Sequence, residues 1–352
     1  MQCLRWLLVN LLTPGRFGYQ ISPDSFLPNR INPYYYPMQR KFGYCCINLS
    51  LNEGVKKKDR ITTNRSMTKK TFLAKGIAYA SELSLQNVKD LKKILEWNYE
   101  NEILMYRMSS DMFPWCSEYE LEDLPHIHEI KEALKQAGDV ALSTGQRITF
   151  HPSPYSVLAS LRDDVVDNAI KELSQHGEIM DLMGLPRNHY YPINIHVNTT
   201  QPTKEEAAKR FCDNFDLLPE SVKSRLVVEV DDKGSQYTSV DLKSMVHDEI
   251  GIPITFDYLH NRCNPPVGLS ESESLKICID TWPDGITPLT HFSESKALFE
   301  DNSAKELAHS DWIHEKIETY GFEFDIELEV KQKDKALLDY HHNIEQILCL
   351  KS

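Results

Sequence analysis

The sequence predicts an α/β protein built as a closed (β/α)8 TIM barrel, and two observations carry that reading. From Phe42 onward, short apolar or β-branched runs alternate with long amphipathic stretches. Eight such runs, each followed by a helical pattern, fit within roughly 300 residues, the count that this barrel requires. The second observation is negative: no G-x-G-x-x-G or Walker loop follows any of the runs, as the phosphate sites of an open doubly wound sheet would need.

In chain order, the predicted strands are Gly43–Leu49, Ile103–Met108, Arg147–Phe150, Ile193–Val197, Leu226–Val230, Ile254–Phe256, Ile286–Thr290 and Phe324–Leu328. Helical periodicity fills the intervals at Thr71–Ser84, Gln86–Asn101, His128–Ser143, Asp164–Leu182, Lys204–Asn214 and Ser303–Thr319. The first 37 residues are rich in Pro, Asn and Tyr, show no period, and read as a loosely ordered leader. Met38 directly precedes the first convincing strand, so residues 38–352 are expected to form one barrel domain.

Composition narrows the class. With 41% hydrophobic and 26% charged residues, the chain reads as an ordinary soluble globular protein. The apolar stretch Trp6–Leu12 is too short to span a membrane, and no small-residue cleavage site follows it. None of the eight cysteines forms a C-x-x-C pair, so reduced, mostly buried thiols and a cytosolic compartment are expected. The net charge of −13 argues against a protein that coats nucleic acid, though not against one with a local basic patch. Lys56, Lys57, Lys58, Arg60, Arg65, Lys69 and Lys70 are the candidate patch, and solvated loops commonly carry such runs.

The strand ends carry the chemistry. In this fold, reactive side chains come from the C-terminal ends of several strands and converge on one mouth. Here strand three ends in His151, strand four carries His196 and strand five carries Glu229. Strand six ends in Asp257 with His260 just beyond, strand seven ends in His291, and strand eight carries Glu329. His309 follows strand seven. One His beside a strand is commonly structural, but six strands delivering His, Asp or Glu to one end are a pattern. Such carboxylates repel one another and are costly to desolvate unless cations neutralise them. Mixed imidazole and carboxylate donors suit Zn, Mn or Fe, and eight candidates exceed the three or four that one tetrahedral zinc takes. A cluster of two or three ions fits better. Glu229, Asp257 and Glu329 are the carboxylates able to bridge metals in a displacement at phosphorus. The spacing leaves open phosphodiester cleavage and metal-dependent sugar isomerisation.

An ordered set of motifs resembles the UV damage endonucleases, relatives of the endonuclease IV-type barrels, from Gly43 to about Ala336. Gly43-Tyr44 opens the first strand, and Tyr106-Arg107-Met108-Ser109-Ser110 resembles the family's Y-R-x-S-S. His151-Pro152-x-x-Tyr155 is similar to H-P-x-Q-Y, Asn194-Ile195-His196 falls on strand four, and Glu229-Val230-Asp231-Asp232 is similar to E-N-D-D. Pro253 through Asp257 to His260, then His291-Phe292-Ser293, His309-Ser310-Asp311 and Glu329 through Ala336, complete the order.

The resemblance implies incision of damaged double-stranded DNA immediately 5′ of UV photoproducts by metal-activated hydroxide. The implied ligands are His151, His196, Glu229, Asp257, His260, His291, His309 and Glu329, the same set picked from strand ends. Two or three divalent ions are implied, manganese first, with zinc or magnesium as alternatives. Tyr44, Arg107, Ser109, Pro154 and Tyr155 are the implied DNA or lesion contacts. The implied setting is the cytoplasm of a prokaryotic or viral type, or a eukaryotic nucleus. Single-chain action without an obligate protein partner or a membrane goes with it. An abasic-site endonuclease is the second reading and a sugar isomerase the third.

Three departures from the family pattern are visible. Pro154 stands where the family has Gln beside the probing Tyr, Leu289 where it has a Lys near the metals, and Val230 where it has Asn.

Overall fold

The apolar runs pair in sequence order, each parallel to the next, and the last closes on the first. The computed structural model describes residues 40–351, so the expected leader at 1–37 lies outside the described residues. The strands are β1 (Phe42–Cys45), β2 (Met105–Met108), β3 (Arg147–Phe150), β4 (Ile193–Ile195), β5 (Leu226–Glu229), β6 (Ile254–Asp257), β7 (Leu289–Phe292) and β8 (Asp325–Leu328). Most are buried on both faces, because helices cover the outside and side chains fill the lumen, which is why they read as near-continuous apolar runs. β7 begins three residues later than expected, so that His291 stands within the strand.

The helical layer follows from the same patterning. In α1 (Lys69–Glu100), Thr68 caps the start by accepting from the amide of Thr71. The boundary expected near Leu85 is absent. The bend falls instead at Gly76, whose φ of 68° is readily adopted only without a Cβ. α2 (Ile127–Thr144) buries Ile127, Ile130, Leu134, Ala137 and Ala141, a stripe at helical spacing, and stops at Gly145. α3 (Asp163–Leu182) opens on two Asp residues that favour its positive end, and α4 (Lys204–Phe215) is capped by Thr203. A last helix runs from Lys333 to Lys351. No helix of the described chain is long and apolar enough to cross a membrane.

One predicted element is corrected. Ser303–Thr319 is not a helix but an irregular loop after β7. Two carboxylates take its amides away from helical bonding. The fully buried Glu294 accepts from the amides of His314 and Glu315, both at 2.9 Å. Glu300 accepts from those of Asp311 and Trp312 at 2.8 and 2.9 Å. Side-chain acceptors of this kind compete directly with the i→i−4 ladder.

Strand alternation decides what faces the lumen. Residues of one parity point inward, and those of the other meet the helices. Met105, Val227 and Leu289 pack with Trp282 in a small inner cluster, while Tyr44 and Tyr106 belong to the outer core. At the base, Arg147 is fully buried, pairing with Asp325 at 2.9 Å and donating to the Tyr190 carbonyl at 2.8 Å.

Asp325→Ala would leave the Arg147 guanidinium buried without its counter-charge. Loss of one partner from such a pair costs about 3–5 kcal/mol. The expected outcome is a fall of that size in unfolding free energy by urea titration, and a fall below about 1 kcal/mol would contradict the role given to this pair.

Candidate metal centre

Inward parity carries upward from this base to the mouth, two residues at a time. Arg147 is followed by Thr149 and His151, Asn194 by His196, and Val227 by Glu229. Thr255 is followed by Asp257, Leu289 by His291, and Asp325 by Glu327 and Glu329. The interstrand register aligns Asp257 with His291 and His291 with Glu327. Side chains drawn from six strands therefore share one small volume.

Glu229 lies at its centre, fully buried, within ion-pair distance of four imidazoles. His151 Nε2 is 3.1 Å from its Oε2, His291 Nδ1 3.1 Å from the same oxygen, and His196 Nε2 3.6 Å. His260 Nδ1 lies 3.1 Å from Oε1, and the Asn194 side-chain amide also donates to Oε2. The rings themselves crowd: His151 and His196 are 5.4 Å apart between centroids, His196 and His260 5.5 Å, and His151 and His291 5.9 Å. Glu329 forms the other side of the centre, with Oε1 at 3.4 Å from His291 Nδ1 and Oε2 at 3.8 Å from His309 Nδ1.

The donor set fits divalent cations. His151, His196 and Glu229 each offer a ligand atom within 4.8 Å of the others, and so do Glu229, Asp257 and His260, with Glu229 common to both trios. Glu229 Oε1, Asp257 Oδ2, His291 Nδ1 and His309 Nδ1 are buried and have no hydrogen-bond partner among the described residues. Unpaired polar atoms are costly to bury, and several of them aimed into one space are atoms that a bound ion would satisfy.

Electrostatics point the same way. Burial alone disfavours the charged form of every group here, yet the imidazoles beside Glu229 hold its carboxyl well below the usual range. Burial opposes a proton on His291 as well. The facing carboxylates Glu229, Glu327 and Glu329 outweigh it, and the ring is pushed up to about 9. His260 is raised well above its ordinary value by Asp257 and Glu229 against the same desolvation, while desolvation prevails at His309 and lowers it. Desolvation also raises Asp257. Protons on imidazoles are one way to balance these carboxylates, and divalent cations on the same atoms are the other.

The remaining expected residues divide. Tyr155 is 84% exposed on the loop after β3, with Pro154 exposed beside it. Glu172 of α3 anchors that loop by accepting from Ser156 Oγ at 2.5 Å. Lys56, Lys57, Lys58 and Arg60 are exposed on the loop leaving β1, at the same end of the barrel.

Three of the expected DNA contacts are engaged in contacts within the protein. Tyr44 has the outward strand parity and no exposed surface, and its hydroxyl bonds Asn98 at 2.7 Å and Asn48 at 2.8 Å. Arg107 spends its guanidinium on Glu327 at 2.9 Å and Glu329 at 2.6 Å. Ser109 is buried and accepts from the Asp111 amide at 3.2 Å. Sequence reading also missed Glu327, Asn194, Thr149 and Asp231 as parts of this network. The inward parity of β8, which puts Glu327 and Glu329 on the same face, was the available signal for the first.

A family model described as UV-endonuclease UvdE matches residues 40–351. The UV-damage endonuclease of Schizosaccharomyces pombe is 33% identical over 314 residues, which cover 86% of this chain and 50% of that protein. This chain thus spans half the length of that relative. The UV DNA damage endonuclease of Bacillus cereus (strain Q1) is 31% identical over 277 residues, covering 77% and 84% respectively. Among solved structures, that of SacUVDE superposes with a TM-score of 0.74 at 29% identity, covering 88% of this chain and 99% of the other.

The charge balance predicts how stability depends on pH and on metal. His291 is raised from 6.5 to about 9 on folding, so its contribution is full below about pH 6.5 and is lost as pH rises through 9. Glu229 and Glu329 are held low, so their contributions are present above the ordinary carboxylate range and lost in acid. Chelator-treated protein is expected to lose thermal stability between about pH 6.5 and 9, and Mn2+ to flatten that decline by replacing the proton. Thermal midpoints measured across this window, with and without Mn2+, check it. A flat curve in chelator would contradict the assignment.

Proposed function

We propose, from the premise that the chain belongs to the UV-endonuclease UvdE family, that it is a DNA repair endonuclease cutting the phosphodiester immediately 5′ of UV photoproducts and related lesions. The observation that carries the reading furthest is Glu229, one buried carboxylate approached by four imidazoles and shared between two potential ligand trios.

In this reading, His151, His196, Glu229, Asp257, His260, His291, His309 and Glu329 hold two or three divalent ions, manganese first among them. Bound there, the ions supply Lewis-acid charge to the phosphate oxygens and lower the pKa of water. The chain's own groups do the rest. Glu229, Asp257 and Glu329 provide the anionic donors, and Arg107 fixes Glu329 through its 2.6 Å pair. Lys56, Lys57, Lys58 and Arg60 attract the phosphate backbone locally, which a chain of net charge −13 needs. Tyr155 is the wedge. A photodimer is already poorly stacked, so pushing it out of the helix costs less than for normal bases, and an exposed ring can fill the gap. Pro154 offers no side-chain donor, so its contact with the opened helix is apolar.

The direct test is a labelled duplex carrying one cyclobutane dimer, with abasic and undamaged duplexes beside it, in Mn2+ and in chelator. Expected is a nick directly 5′ of the dimer, leaving a 3′-hydroxyl, only with metal. Cutting of the abasic duplex alone would favour an abasic-site enzyme, and turnover of a sugar with no cutting would sink the nuclease reading.

Glu229→Gln is expected to lower incision at least about 100-fold, since several kcal/mol of charge stabilisation depend on that carboxylate. Tyr155→Ala should reduce the preference for dimer over undamaged duplex by about 5- to 150-fold, the equivalent of about 1–3 kcal/mol of stacking. Unchanged dimer preference in competition binding would remove Tyr155 from the proposed wedge.

A further inference from the structure

Just below the candidate ligands stands another ionisable group, Glu327, fully buried on β8 and in register with His291 of β7. Its position is built from several strands. Glu327 Oε1 lies 2.9 Å from Arg107 Nη1 on β2, and Oε2 accepts from Thr149 Oγ1 on β3 at 2.6 Å. Cys45 Sγ on β1 is 3.7 Å from Oε1. Directly beside it in the β1–β8 register stands Gly43, where a Cβ would fall 2.7 Å from the Met105 carbonyl oxygen, so no side chain enters at that position. A buried carboxylate held by partners from separate strands is expensive to maintain and is not a packing unit.

The ring next to it has two different sides. His291 Nδ1 faces the centre, 3.1 Å from Glu229 and 3.4 Å from Glu329. His291 Nε2 faces away, 3.5 Å from Glu327 Oε1, while the inward residue one layer below on β7 is the apolar Leu289. A neutral imidazole that offers Nδ1 to a cation must carry its proton on Nε2, and that N–H then needs an acceptor. The neighbouring rings show the same division of labour. His196 turns Nε2 to Glu229 and Nδ1 to Asp231 at 2.9 Å, and His151 turns Nε2 to Glu229 and Nδ1 to the Pro152 carbonyl at 3.0 Å.

We propose that Glu327 is a positioning residue of the centre: its carboxylate accepts a hydrogen bond from the Nε2–H of His291 and so directs the Nδ1 lone pair at the face shared by Glu229 and Glu329. Arg107 and Thr149 hold Glu327 for that task. Arg107 thereby ties the outer carboxylate Glu329 to the inner one. The inference rests on the reading that the cluster binds divalent ions. The competing role is direct ligation, since Cys45, Glu327 and Glu329 can also bring ligand atoms within 4.8 Å of one another.

The test uses DNA-free full-length protein. Mn2+ is titrated calorimetrically, and the ring nitrogens of His291 are read by NMR on 15N-histidine-labelled, Zn2+-loaded protein. Glu327→Met should bind as many ions as the wild type, with one of them about 10- to 100-fold weaker. Its His291 signal should shift from a single Nε2-protonated tautomer to a mixture. Glu327→Gln, which keeps a neutral acceptor, should recover part of the affinity, and it carries the same test if the Met variant does not fold. In a His291→Ala background, Glu327→Met should add no further loss, because the two act through one contact.

Unchanged affinity and an unchanged tautomer in both variants would overturn the proposal. Loss of one whole ion per chain would also overturn it, in favour of direct ligation. A wild-type chain that takes up no Mn2+ would overturn the metal reading itself, and this inference with it.

Discussion

Glu229, Asp257, Glu327 and Glu329 share the water-poor mouth of one small barrel, and the repulsion among their carboxyl groups is the constraint that the surrounding structure answers. Taking even one carboxylate out of water costs several kcal/mol, and placing others beside it adds to that. The chain answers in layers. At the base, Arg147 is paired with Asp325. One layer up, Arg107 is shared between Glu327 and Glu329. Above that, among the described residues, no further Arg or Lys pairs with Glu229. The positive charge there comes from imidazoles, which are neutral or charged according to what else occupies the space.

This arrangement explains why histidines surround Glu229 where lysines would give stronger pairs. An ammonium would neutralise the carboxylates permanently and compete with any cation. Imidazoles raised by their carboxylate neighbours, as His291, His260 and His196 are despite burial, would give up their protons to a divalent ion bound there. The acceptors behind the rings then matter as much as the rings. Asp231, the Pro152 carbonyl and Glu327 each stand by the nitrogen that faces away from the centre. With such partners, a ring presents one chosen lone pair.

Motif residues proved divisible into those that meet the solvent and those that hold the frame. Tyr155 stands out on its loop, while Arg107, Ser109 and Tyr44 are consumed by internal contacts. Ser110, next to Ser109, donates to the His151 carbonyl at 2.9 Å, so the stretch after β2 braces the stretch after β3. A string of residues in the right order therefore carries two kinds of information, and side-chain direction is what separates them. Leu289 belongs to the frame as well, packed with Met105, Val227 and Trp282 under the charged layer.

The barrel, its eight strands and the convergence of His, Asp and Glu at their C-terminal ends were legible in the sequence, because each depends on local patterning. A strand shows as a short apolar run, and its end shows where polar residues resume. The helix expected at Ser303–Thr319 failed for the opposite reason. Its amides are captured by Glu294 and Glu300, which lie outside the segment, and local periodicity contains no sign of them. Glu327 was passed over because strand eight was credited with a single functional residue, Glu329, although both share the inward parity. Only the tertiary structure decided that Arg107 faces two carboxylates, that Glu229 meets four imidazoles, and that Tyr44 turns to the helices. Those contacts join β2 to β8 and β5 to four other segments. They are set by interstrand register and barrel closure, which no stretch of sequence encodes by itself.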